Sequence, residues 1–81
     1  MLFIKVLGPG CPNCERLEKI VKKVVANLAI DAELTKISDY NEILEYDLLS
    51  TPGLVINEEV VFSGRVPSET QVVDFITAAL G

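Results

Sequence analysis

The sequence predicts an α/β fold in the order β-α-β-α-β-β-α, with a four-stranded mixed sheet flanked by three helices in a single domain over residues 1–81. Three observations carry that expectation. Short aliphatic runs with strand character alternate with segments whose apolar residues recur every three or four positions. Cap signals stand at the start of each helical segment. A strand, a helix and a second strand in succession close by a right-handed crossover into parallel pairing, whereas two later strands joined by a short turn pair antiparallel.

The first strand runs from Met1 to Leu7, with Leu2, Phe3, Ile4, Val6 and Leu7 apolar, and Gly8-Pro9-Gly10 breaks it. The first helix opens with Cys11 at the N-cap and Pro12 at the first helical position, where the missing N–H of proline costs nothing. Cys14, Leu17, Val21, Val24 and Leu28 then form one apolar stripe, widened by Ile20 and Val25, which places Cys14 on the buried side and Cys11 at the exposed tip. The helical periodicity runs from Glu15 to Leu28. A strand over Asp31–Ile37 follows, polar on one face and therefore suited to a sheet edge. Asp39 and Glu42 have capping-box spacing and open a short helix through Ile43 and Leu44 towards Leu48. Leu54-Val55-Ile56 and Val60-Val61-Phe62 read as a hairpin around Asn57-Glu58-Glu59, and Gly64 ends its second strand. Ser68 and Gln71 form a further capping box before the last helix, whose apolar positions are Val72, Val73, Phe75, Ile76, Ala79 and Leu80. Tyr40 and Tyr46 are expected as half-buried packing residues.

Composition excludes several functions. Seven basic residues against twelve acidic ones give a net charge of −5. Nucleic acids and anionic membrane surfaces both require a basic face. The apolar runs are too short to span a membrane, and the N-terminal run is too short for the core of a signal peptide. A cytoplasmic protein is the resulting expectation. In that compartment a close cysteine pair is more often catalytic or metal-binding than structural.

The chemistry therefore centres on Cys11-Pro12-Asn13-Cys14. A thiolate at a helix N-terminus meets unsatisfied backbone N–H groups and the positive end of the helix dipole, so its pKa falls and it becomes nucleophilic. A two-residue spacing closes too small a loop to stabilise the fold much. Glu15 and Glu18, one turn in, oppose the thiolate slightly. Lys5 is either a compensating positive charge or a solvated one reaching from a strand end. Two other readings remain open at this stage. A single C-x-x-C offers two soft thiolates, enough for Cu(I) in a shared site, although heavy-metal-binding domains run β-α-β-β-α-β and end on a strand. A non-enzymatic docking module is the other.

Gly8-Pro9-Gly10-Cys11-Pro12-Asn13-Cys14, then Ser50-Thr51-Pro52 before Leu54-Val55-Ile56-Asn57, then Ser63-Gly64-Arg65-Val66-Pro67-Ser68, resemble the small thioredoxin-like redox-active disulfide proteins. These are glutaredoxin-sized and known mainly from archaea and anaerobic bacteria. The resemblance covers essentially the whole chain. It implies the minimal thioredoxin/glutaredoxin-like fold and a thiol–disulfide oxidoreductase, with Cys11 as attacking thiol and Cys14 as resolving thiol. The Cys11–Cys14 disulfide would be the redox group, with no further cofactor and no metal.

An isolated X–Pro bond is cis in only about 5–6% of cases, but the resemblance implies a cis-proline at Pro52 facing the cysteines. Thr51 would offer main-chain hydrogen bonds to an extended substrate segment. Pro12, Asn13 and Gly64 complete the expected substrate-binding set, Gly64 by letting a partner approach closely. Gly10 stands where thioredoxins usually carry an aromatic, and Asn13 where glutaredoxins prefer tyrosine; Ala29 stands where a glycine commonly ends the first helix, which implies a cap at Asn27 instead. The implied partners of a monomer are disulfide-containing protein substrates and an upstream thiol reductase. The electron donor stays open among a flavin-dependent thioredoxin reductase, a ferredoxin-linked reductase and glutathione.

Overall fold

The computed structural model describes residues 2–10, 12–46 and 51–80. Its elements follow the expected order: β1 (Leu2–Leu7), α1 (Pro12–Leu28), β2 (Ala32–Ile37), α2 (Tyr40–Leu44), β3 (Gly53–Ile56), β4 (Glu59–Ser63) and α3 (Glu69–Leu80). The strands form one sheet in the order β2-β1-β3-β4. β1 runs parallel to β2 and antiparallel to β3, and β3 runs antiparallel to β4. β2 lies at an edge, as its polar face predicts.

Alternation along β1 distributes the core between two faces of the sheet. Leu2, Ile4 and Val6 pack with Leu54 and Ile56 of β3, Leu17, Val21 and Val24 of α1, and Val72 and Ile76 of α3. On the other face Leu7 and Val55 join Ile37 and Ile43, the latter from α2. Leu28, expected in the buried stripe of α1, is 38% exposed because it is the last residue of the helix and overhangs the core.

The caps behave as their chemistry requires. Ser68 Oγ accepts from the Gln71 N–H at 3.2 Å and Gln71 Oε1 accepts from the Ser68 N–H at 3.0 Å, the reciprocal pair of a capping box. Asp39 caps α2 by accepting from the Asn41 N–H at 2.8 Å. α2 ends at Leu44, and Glu45 and Tyr46 form a turn in place of the expected continuation of the helix; the remainder of that extension, 47–48, lies outside the described residues.

Two ends differ from expectation. α1 does not stop at Asn27. It continues to Leu28, and Ala29 turns the chain with φ +52°, taking the left-handed position that glycine usually fills. A residue with a Cβ is held there at a cost of about 1–2 kcal/mol, so the tertiary structure on either side of Ala29 outweighs the local preference. The hairpin turn is also tighter than expected. Ile56 pairs with Glu59, leaving Asn57 and Glu58 as its central residues, with φ +50° and +67°. Both signs match the two-residue turn whose twist suits a hairpin. Further along, Val55 pairs with Val60 but Leu54 with Phe62, so β4 carries one extra residue at a bulge.

Candidate redox site

The C-terminal end of β1 and the N-terminal end of β3 meet where Leu7 pairs with Gly53, and Gly53 pairs in turn with Ser63 at the end of β4. Hydrogen bonding continues one residue further on both sides. The Gly8 N–H donates to the Ile37 carbonyl at 2.9 Å, and the Gly64 N–H donates to the Pro52 carbonyl at 3.0 Å. Gly8, Pro52 and Gly64 therefore sit at one end of the sheet, the end from which the chain passes into α1. The fold thus brings together the cysteine segment, the proline segment and Gly64, which lie far apart in sequence.

Within that junction, Gly10 turns the chain with φ +94°, a conformation for which glycine carries no steric penalty. Pro12 is the first residue of α1, and Pro12 and Asn13 are exposed. Cys14 follows in the first turn, 0% exposed and engaged in a disulfide. The expected N-cap and exposed tip at Cys11 lie outside the described residues, as does Ser50. Pro52 is fully buried, Thr51 is half-buried, and the peptide bond joining them is cis. Gly64 is exposed with φ +95°. After it, the Arg65 guanidinium lies 5.7 Å from the centre of the Phe62 ring, within cation–π range.

Periodicity gave no warning of what Gly8 does. A Cβ placed on it would overlap Cys14 Sγ outright and would lie 3.0 Å from Cys14 Cβ. The sequence marks Gly8 as a strand breaker and as the first residue of the cysteine motif, with no role of its own. Its contact with a sulfur one helical turn into the next element depends on the angle at which α1 leaves the sheet.

The charges near α1 are largely balanced. Glu18 accepts from Lys22 at 3.2 Å and lies 3.8 Å from Lys36 of β2, so its opposition to a nearby thiolate is partly offset. Lys5 is neither a free counter-charge nor a solvated one. Its ammonium pairs with the Glu58 carboxylate, donates to the Tyr46 hydroxyl at 2.7 Å and lies 5.4 Å from the Tyr46 ring centre. Tyr46 is half-buried, as expected, whereas Tyr40, the first residue of α2, is 63% exposed and not a packing residue. Hydrogen bonding to Glu58, then to Tyr46, raises the Lys5 pKa above its ordinary 10.5. The Lys5 hydrogen bond likewise lowers the Glu58 pKa below its ordinary 4.5.

The direction of the resulting pH dependence follows from these two shifts. The Glu58 contribution is present above pH 4.5 and is lost as pH falls through the lowered value; the Lys5 contribution is complete below pH 10.5 and fades only at higher pH. Glu58→Gln is expected to flatten the acid limb of stability against pH, measured as urea midpoints across that limb. An unchanged acid limb would show that the pair does not contribute.

Comparison with known proteins agrees with this arrangement. A family model described as "Thioredoxin domain" matches residues 2–77. The chain belongs to the thioredoxin family. It is 42% identical over 72 residues to a thioredoxin of Methanocaldococcus jannaschii, covering 89% of this chain and 83% of that one. It is also 42% identical over 72 residues to a thioredoxin of Methanothermobacter thermautotrophicus, covering 89% and 94%. Among solved structures, the oxidised thioredoxin of Plasmodium falciparum superposes with a TM-score of 0.69 over 99% of this chain and 82% of that one, at 15% identity. Thioredoxin 1 of Thermosipho africanus superposes with a TM-score of 0.61 over 96% and 93%, at 20% identity. These structural likenesses establish the fold, and the archaeal relatives establish the class of activity: a thioredoxin-like thiol–disulfide oxidoreductase. The element order β-α-β-α-β-β-α differs from the β-α-β-β-α-β of heavy-metal-binding domains. Among the described residues no helix is long and apolar enough to cross a membrane.

Proposed function

We propose that this thioredoxin-family protein reduces disulfides in protein substrates by dithiol exchange through Cys11 and Cys14. The observation that carries this reading is the placement of Cys14: buried, disulfide-bonded and in the first turn of α1, at the sheet end where Pro52 meets Gly64. The Cys11 thiolate attacks one sulfur of the substrate disulfide. That S–S bond breaks, its far sulfur leaves as a thiolate, and Cys11 is left in a mixed disulfide. Cys14 then gives up its proton and attacks the Cys11 sulfur. The Cys11–Cys14 bond forms, and the second substrate sulfur leaves as a thiolate. One electron pair passes to the substrate, and the protein is left oxidised.

An upstream thiol reductase restores the dithiol, and no other cofactor or metal takes part. Pro12 and Asn13 border the cysteines, Thr51 offers main-chain hydrogen bonds to an extended substrate segment beside Pro52, and Gly64 lets the partner approach closely. The net charge of −5 suits a monomer working in the cytoplasm away from nucleic acid and membranes.

Alkylation tests the roles directly. Reduced protein at neutral pH, treated briefly with iodoacetamide and mapped by peptide mass, is expected to carry label at Cys11 well before Cys14. Faster labelling of Cys14 would overturn the assignment. Catalysis of insulin reduction by dithiothreitol provides the companion assay for the overall reaction.

A further inference from the structure

We propose that Gly8 is a positioning residue for the resolving thiol: by lacking a side chain it leaves, at the end of β1, the space in which Cys14 Sγ sits. The inference deepens the dithiol mechanism above and rests on it. Its basis is geometric. A Cβ at residue 8 would overlap Cys14 Sγ and crowd Cys14 Cβ at 3.0 Å, and Cys14 is 0% exposed.

Neither partner can yield easily. The Gly8 backbone is tied into the sheet through its N–H bond to Ile37 at 2.9 Å. Cys14 lies in the first turn of a helix whose next turn places the fully buried Leu17 in the core. The glycine is required by the sulfur and not by backbone geometry, because no positive φ is found at residue 8, in contrast to Gly10 and Gly64. A thiol held in this space is screened from solvent and from outside oxidants. It remains within the small reach needed to attack the Cys11 sulfur once a mixed disulfide forms. Any larger residue would displace Sγ and misalign that second attack without removing either cysteine.

The test uses dithiobis-nitrobenzoate on the reduced protein under excess reagent, followed by stopped flow. Attack by Cys11 releases one thionitrobenzoate and leaves a mixed disulfide. Attack by Cys14 releases a second and closes the Cys11–Cys14 bond. In Gly8→Ala the first release is expected to match the wild type, while the second slows by roughly 10²-fold, the penalty typical of a misplaced reacting group. Iodoacetamide should also reach Cys14 faster in the variant. If both releases match the wild type, or both slow equally, the positioning role is overturned. A wild type that stops after the first release would overturn the dithiol mechanism itself.

Should Gly8→Ala fold poorly, thermal unfolding in the Cys14→Ala background decides the matter. With Sγ removed, Gly8→Ala is expected to lower the melting temperature far less than it does in the reduced wild type. An equal loss in both backgrounds would show that the sulfur is not what the glycine accommodates.

Discussion

Replacing Cys11 by serine is expected to reduce catalysed insulin reduction to the dithiothreitol background, because a serine hydroxyl at neutral pH cannot open a disulfide. Replacing Cys14 by serine should also abolish turnover, but by a different route. The first attack still occurs, the mixed disulfide has no internal thiol to resolve it, and covalent complexes with protein partners accumulate until dithiothreitol is added. Non-reducing gels of cell extract passed over immobilised Cys14→Ser protein would show these complexes, and mass analysis of the eluate would identify the substrates. A Cys14→Ser protein that captured nothing releasable, alongside a Cys11→Ser protein that did, would reverse the two roles. The contrast between the variants matters more than either loss alone, since any damage to the fold would silence both in the same way.

The largest effect on stability is expected at Leu17. It is 0% exposed, one turn beyond Cys14, and packs in the cluster joining α1 to β1, β3 and α3. Leu17→Ala removes buried methyl groups and leaves a cavity, at a cost of about 3 kcal/mol. In a domain of this size that corresponds to a fall in Tm of about 12–24 °C. Urea unfolding at neutral pH measures the loss. Leu17→Met, close in volume, should cost less than about 1.5 kcal/mol. The same residue anchors the first turn of α1, so the Ala variant should also soften the seat of Cys14 and raise its alkylation rate below the melting temperature. If Leu17→Ala cost no more than Leu17→Met, the close packing of this cluster would be disproved.

The element order, the edge position of β2, the start of α1 at Pro12 and the Ser68–Gln71 cap were all readable from local pattern. Each depends on residues within a few positions of one another, where side-chain periodicity and cap chemistry act directly. The features that escaped are those decided across the sheet. Asn57 and Glu58 lack the glycine that advertises a two-residue turn, yet the turn forms. Asn57 is tied to β1 by its N–H to the Phe3 carbonyl at 2.8 Å, and its side-chain oxygen accepts from the Phe3 N–H at 3.1 Å. Glu58 meets a lysine more than fifty positions away in the chain. Ala29 ends α1 although its own preference is against the required backbone. At the site, the motif residues, Gly8 among them, were conspicuous in the sequence, while the role of Gly8 was not, because it exists only once a helix has been laid against a strand end.

β1 is made before the other strands of its sheet and is an inner strand, and its two neighbours become available at very different times. β2 pairs with it after one helical crossover. β3 pairs Lys5 with Val55 only after α1, β2 and α2 have all been made. Until then one edge of β1 remains open, and Gly8 has no Pro52 segment beside it. The redox centre is thus completed by the last long-range pairing in the sheet, the kind of contact whose loop-closure entropy slows folding. A nascent chain emerging from the ribosome would carry its cysteine pair before it had the surface that directs it. Thiol exchange before that pairing has formed is therefore an exposure inherent in this topology.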